Sequence, residues 1–272
     1  TPPTVEGRLR YPGVVLVGGT SPSDRDQNIG GVPMFAQLAR ALAERGHIVL
    51  RYDRRGTGQS GGRTDTATLA DYADDAAAAA KWLSKRDDVD SKHVVVIGHR
   101  DGGPAGLLAA AASKDIDGVA TIDAAGSTGA DLILLQQQRV LEEMQLTGED
   151  RQARIDLQKK IQAAVVSGTG WEGVPAPVRR QADTPWFKSV LTYDPAKVLP
   201  KIKQPVLIVH GDLDPTVPGS EADRLGELAK ARKKATSEVV HLADLGDTLV
   251  PAGGRAVSEK AVDAIAGWIH KL

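Results

Sequence analysis

The sequence predicts an α/β protein with a mostly parallel central sheet, helices on both of its faces and a helical insertion before the last two strands. Three observations predict it. Short β-branched runs such as Val94-Val95-Val96-Ile97 and Val206-Leu207-Ile208-Val209 are apolar without alternation, as strands buried on both faces are. Those runs alternate with stretches of helical periodicity, which implies parallel strands joined by crossover helices. The alternation then lapses from about Ser127 to Leu199, where only helical periods occur.

In chain order, Val14-Val15-Leu16-Val17 forms the first strand and ends at Gly18-Gly19. The polar loop Thr20 to Gln27 follows. Phe35 to Arg45 reads as a helix with Phe35, Leu38, Ala39 and Leu42 on its apolar face, stopped by Gly46. His47 to Asp53 is the next strand, and the glycine-rich loop Arg54 to Gly62 leaves it. Thr68 with Asp71 has the spacing of a capping box that opens a helix running to about Arg86. After the strand Val94–Ile97 and its helix comes the strand Val119 to Asp123. The helical stretch that follows carries the periods Leu132, Leu135, Val140, Leu141 and Ile155, Ile161, Val165. Pro205 to Gly211 and Glu238 to Leu242 restore the strand pattern. A last helix shows Val257, Ala261, Ile265, Trp268 and Ile269 on one face.

Composition limits the function classes. A chain of 272 residues that is 41% hydrophobic can fill a full core, and 25% charged residues give an ordinary soluble surface. A net charge of −1 supplies no field that would draw nucleic acid, and 4% aromatic residues do not suggest a base-stacking groove. Without cysteine there is no disulfide and no thiolate nucleophile. No apolar run reaches the roughly 20 residues that span a bilayer. The expectation is therefore a soluble protein, and because the chain starts at Thr1 without Met or a basic-plus-apolar leader, a processed or trimmed product. The mature form of an exported bacterial protein and a cytoplasmic protein both fit that expectation.

The chemistry-bearing stretch is Val94-Val95-Val96-Ile97-Gly98-His99-Arg100-Asp101-Gly102-Gly103, followed by the helix from Pro104. Strand, sharp turn and helix with glycines on either side of the apex is the pattern of a nucleophile elbow, usually G-x-S-x-G. Here the apex is Arg100. Three further segments stand at predicted strand ends: Gly18 to Asp26, Leu50 to Ser60, and His210-Gly211-Asp212-Leu213-Asp214-Pro215-Thr216-Val217-Pro218.

With these four segments in this order, the chain resembles the α/β-hydrolase superfamily, in particular bacterial lid-bearing serine esterases and related peptidases. The resemblance runs over nearly the whole chain and implies an α/β-hydrolase core at 1–126 and 200–272, with 127–199 a helical lid. It implies carboxylic-ester hydrolysis as the parent activity, a small ester-like molecule as ligand, no cofactor and no metal. Asp214 matches the family's triad acid. The backbone N–H groups of Asp101 and of Thr20 or Ser21 match its oxyanion-hole donors. The triad histidine should follow the last strand, and there the chain has Leu245-Gly246-Asp247-Thr248, with Asp247 in the histidine's place. None of the six histidines falls there, and His99 and His210 match structural positions. Ser21, Ser127 and Ser220 read as polar loop residues rather than substitute nucleophiles. Trp171, Trp186 and Phe187 are either pocket aromatics or packing anchors.

The triad positions therefore read Arg100, Asp214 and Asp247. A guanidinium stays protonated and has no acceptor, so it cannot attack an acyl carbon. Aspartate lacks imidazole's titration near neutrality and reaches less far. In a serine protease, loss of the serine or histidine alone costs about 10⁶ in turnover. The expectation is a catalytically silent hydrolase in which Arg100 bridges the two acids, bidentate to at least one. Deliberate replacement of the serine and histidine is the reading taken for this charge-matched pair. The alternatives are a natural non-catalytic, ligand-binding homologue, or water activation by Asp247 with Arg100 clamping an anionic substrate. Asp214 and Asp247 as metal ligands are disfavoured by the guanidinium between them.

Overall fold

The computed structural model of the chain describes residues 10–19, 24–233 and 235–272. Six parallel strands form the central sheet: β1 (Tyr11–Val17), β4 (Ile48–Arg51), β5 (Val89–His99), β6 (Gly118–Ile122), β7 (Val206–Gly211) and β8 (Ser237–Leu242). The two-residue strands β2 (Asn28–Ile29) and β3 (Val32–Pro33) pair antiparallel outside it. The spatial order is β4-β1-β5-β6-β7-β8. The chain thus steps outward from β1 to β4 and returns to β5 on β1's other side. That reversal opens a crevice at the C-terminal ends of β1 and β5, where open α/β sheets place their ligands.

The apolar runs supply both cores by alternation. On one face Val15, Val94, Val96, Val206 and Ile208 pack under α2 (Leu69–Leu83), α3 (Gly102–Ala112) and α9 (Gly219–Lys230). On the other, Val14, Leu16, Val95, Ile97, Leu207 and Val209 pack under α1 (Met34–Glu44) and α10 (Glu259–Ile269). The capping box at Thr68 and Asp71 forms, with the Asp71 N–H on Thr68 Oγ1 at 3.3 Å and the Thr68 N–H on Asp71 Oδ2 at 2.8 Å.

Between β6 and β7 the described chain is helical: α4 (Gly129–Glu143), α5 (Gly148–Ser167), α6 (Ala176–Ala182), α7 (Pro185–Leu191), α8 (Pro195–Val198) and a 3₁₀ turn at Leu199–Lys201. These helices have their own small core of Ile161, Ala164, Val165, Trp171 and Leu191, with Phe187 packed against it. The strand expected over His47 to Asp53 runs only from Ile48 to Arg51, and beyond its end Asp53 accepts from the Arg25 side chain at 3.0 and 2.6 Å. The helix expected from Pro104 instead begins at Gly102, with Asp101 as its cap residue.

Candidate active site

At the crevice, β5 delivers Arg100 on a turn no ordinary sequence would take. Arg100 is left-handed, with φ at +50°. Its N–H donates to Ile122 O at 2.9 Å, and its carbonyl accepts from the Gly103 N–H at 2.8 Å. A Cβ on Gly98 would overlap the Gly102 carbonyl, and one on Gly102 would overlap the carbonyl of Val17. The glycines flanking the apex are required by this close approach of backbone to backbone. A Cβ on Gly19 would lie 3.7 Å from Arg100 Cβ and 3.8 Å from the Asp101 nitrogen, so the end of β1 faces the apex. Thr20 and Ser21, the other expected oxyanion donors, lie outside the described residues, as does Ser21 as a spare serine.

The three expected positions come together. Arg100 Nη2 donates to the Asp247 carboxylate and, at 3.2 Å, to Thr216 Oγ1. It lies 3.8 Å from Asp214 Oδ1, too far for a hydrogen bond. The expected bidentate clasp is therefore not formed, and a single nitrogen makes both bonds. The reason is local. Asp214 Oδ1 is already filled by its own turn, accepting from Thr216 N at 2.7 Å, Thr216 Oγ1 at 2.7 Å and Val217 N at 3.2 Å. Arg100 reaches Asp214 through the Thr216 hydroxyl, which accepts from one and donates to the other. Asp214 Oδ2 is buried without a hydrogen-bond partner, and so is Arg100 Nε.

Asp247 is held by its backbone. Gly246 N–H donates to Val250 O at 3.1 Å and Leu249 N–H to Gly246 O at 2.9 Å, closing a tight turn with Leu249 at φ +57°. His99 Nε2 lies 2.9 Å from the Asp247 carbonyl, so that nitrogen carries the proton and donates. His99 is fully buried, and burial followed by the nearby Arg100 charge pushes its pKa down to about 4. Its structural role is thus to moor the loop bearing Asp247. His210 is buried with its Nδ1 2.9 Å from Asp123 Oδ1, and that oxygen accepts from the Gly211 N–H at 2.9 Å. Burial pushes the Asp123 carboxyl up to about 6.

A cavity of about 510 Å³ opens over Arg100. Its core-side wall includes Pro104, Ala124 and Val217, and the helices between β6 and β7 close the other side with Leu132, Val140 and Val190. Asp123, Tyr193 and Thr216 also line it, and the sequence alone gave no reason to select them. Ser127 lines the cavity but is tied to Glu221, giving its hydroxyl to Oε1 at 2.7 Å, while Ser220 is exposed on α9. Trp171, Trp186 and Phe187 are not among the cavity's lining residues. Trp171 and Phe187 are packing anchors, and Trp186 meets Tyr72 edge-on with its ring near the Arg54 guanidinium. Among the described residues, no group of three or more His, Asp or Glu side chains is arranged to hold a metal ion, and no helix is long and apolar enough to cross a membrane.

A family model of the alpha/beta hydrolase fold matches residues 26–247. The chain is 27% identical to the esterase EstD of Thermotoga maritima over 276 residues, covering 98% of the chain and 64% of that esterase. It therefore spans less than two thirds of that relative's length. Among solved structures, DcsB in complex with its substrate analogue superposes with a TM-score of 0.64 at 18% identity, covering 97% of this chain and 91% of that one. The esterase of Exiguobacterium antarcticum gives 0.60 at 17%, covering 96% and 93%. The hypothetical protein PA2218 of Pseudomonas aeruginosa gives 0.60 at 20%, covering 99% and 87%.

Proposed function

The chain belongs to the alpha/beta hydrolase family, and from that premise we propose that it is a silenced acyl hydrolase: a scaffold descended from ester cleavage that keeps its ligand cavity and has lost acyl transfer. The observation that carries this reading is the bond from Arg100 Nη2 to the Asp247 carboxylate and to Thr216 Oγ1, beside Asp214, at the apex of the elbow. The esterase relative and the esterase among the superposed structures support ester hydrolysis as the parent activity.

Acyl transfer needs an oxygen at the apex that can attack, and a base that takes its proton and hands it to the leaving group. Arg100 offers only N–H donors. Asp247, at the base position, has its carboxylate engaged by the guanidinium, so water activation by that carboxylate is the less supported alternative. In this reading a serine and a histidine that pass a proton between them are replaced by the Arg100–Asp247 ion pair beside the Asp214 carboxylate. The replacement has the same chemical consequence whether it arose by deliberate substitution or by descent. The helices between β6 and β7 act in this reading as the lid, since Leu132, Val140 and Val190 close the cavity opposite the sheet.

The test is steady-state hydrolysis of p-nitrophenyl butyrate by the purified chain. The expected rate is indistinguishable from buffer. A rate above buffer that disappears in Arg100→Ala would overturn the proposal.

A further inference from the structure

We infer that the hairpin of α4 and α5 is a gate over the cavity, hinged at the root of α4 and fastened at its far end by Arg139 to the Pro215 carbonyl. The inference rests on the reading of these helices as a lid and adds which part moves and what holds it. Three observations carry it.

The first is a firm root. Just before α4, the Ser127 N–H and hydroxyl both donate to the buried Glu221 carboxylate, each at 2.7 Å. The Gly129 N–H donates to Tyr193 O at 3.0 Å, and a Cβ on Gly129 would overlap the Val190 carbonyl. Gln162 of α5 donates to Ala130 O at 3.1 Å. Beside this root, α7 is bound to a helix of the sheet. Its Ser189 Oγ accepts from the Leu69 N–H of α2 at 2.9 Å, and its Trp186 meets Tyr72 edge-on. Val190 of α7 is therefore on a fixed wall of the cavity.

The second is a loose tip. Between residues 140 and 150 only Leu141 is buried and Leu146 half-buried. The bond from Arg151 Nη2 to Glu142 Oε1, at 2.7 Å, joins α5 to α4, so the two helices move together. Among the described residues, the second half of α4 makes one hydrogen bond to the chain outside the lid, from Arg139 Nη1 to Pro215 O at 3.1 Å. A single exposed hydrogen bond is a weak fastening. Leu132, Gln136, Arg139, Val140 and Glu143 form the face that α4 turns to the cavity. Rotation about the root swings that whole face away.

The third is where the latch lands. Pro215 lies between Asp214 and Thr216, in the turn where Asp214 Oδ1 accepts from the Thr216 N–H and hydroxyl, each at 2.7 Å. The same Thr216 Oγ1 accepts from Arg100 Nη2 at 3.2 Å. The gate and the apex of the elbow thus hold opposite sides of one short turn. Releasing Arg139 loosens the turn that Arg100 leans on.

Amide hydrogen exchange, followed by mass spectrometry on the intact chain, tests this with Arg139→Ala, Arg139→Lys and Glu142→Ala. In Arg139→Ala, exchange should quicken at least about threefold over 136–147 and over 212–217, and stay unchanged over 185–191. Arg139→Lys keeps a donor and should recover most of the protection. Glu142→Ala cuts a bond inside the hairpin and should leave 212–217 unchanged. The chain has no cysteine, so Val190→Cys places a single thiol on the fixed wall. Adding Arg139→Ala should speed its reaction with bulky fluorescein maleimide severalfold, and leave the rate with small methyl methanethiosulfonate unchanged. Quickening confined to the residues around 139, or equal maleimide rates, overturns the latch while leaving the lid standing. A hairpin that exchanges as slowly as the central sheet in every variant overturns the lid reading, and the latch with it. Neither readout involves ester turnover, so both are independent of the loss of acyl transfer.

Discussion

Within a few residues of the elbow, two buried titratable groups pull stability in opposite directions with pH. His99 is held neutral by burial, with its pKa pushed down to about 4. Between there and its unfolded value near 6.5, the unfolded chain binds more protons than the folded one. His99 therefore contributes stability above pH 6.5 that is lost as pH falls toward 4, about 3 kcal/mol in all. Asp123, raised to about 6 by burial, does the reverse: the folded state holds its proton longer, so stability falls as pH climbs from about 3.8 to 6, again by about 3 kcal/mol. The two slopes nearly cancel across the same window. In His99→Asn the His99 slope is removed, so urea unfolding at pH 4.5, 5.2 and 6 should show the stability of the variant, relative to the parent chain, dropping with rising pH by up to about 1.4 kcal/mol per unit. A profile parallel to that of the parent chain would contradict this assignment.

At the scale of the elements, the elbow is where backbone approaches backbone most closely. The C-terminal end of β1 passes directly under the start of α3, so a methyl group on Gly102 meets the Val17 carbonyl, part of a rigid strand that cannot yield. Gly267 offers the opposite case: it is inside α10, and a Cβ built on it has nothing within 4 Å. Gly102→Ala should destabilise by about 3 kcal/mol or more, as overpacking against backbone does. Gly267→Ala should stabilise by up to about 1 kcal/mol, the difference in helix propensity. Thermal melts of the two variants check both, and a tolerated Gly102→Ala would mean the turn is looser than described. The helices between β6 and β7 differ again. Only Gly129 and Leu141 of α4 are buried, while Val140 and the cap residue Met144 that follows the helix are exposed, so that helix rests on its neighbours rather than in the main core.

For the whole molecule, the doubly covered parallel sheet was legible because its signal is coarse and repeated. Runs such as Val94–Ile97 and Val206–Val209 have few alternatives to a two-sided strand, and the glycines around Arg100 permit a turn that bulkier residues forbid. The meeting of Arg100, Asp214 and Asp247 was legible through the order of segments at strand ends. What was not legible depended on side-chain direction. Nothing in the sequence tells that Thr216 carries the link from Arg100 to Asp214, that Tyr193 buries its hydroxyl without a hydrogen-bond partner, or that Trp186 turns toward Arg54 instead. Those facts follow from packing across elements far apart in the chain. In the silenced-hydrolase reading the scaffold is intact and only its apex and base have been exchanged. The p-nitrophenyl acetate turnover of the double variant Arg100→Ser with Asp247→His tests that. A gain of at least about 10³-fold over the parent chain is expected, a fraction of what a working triad supplies. A folded double variant that stays at the parent's rate would contradict it.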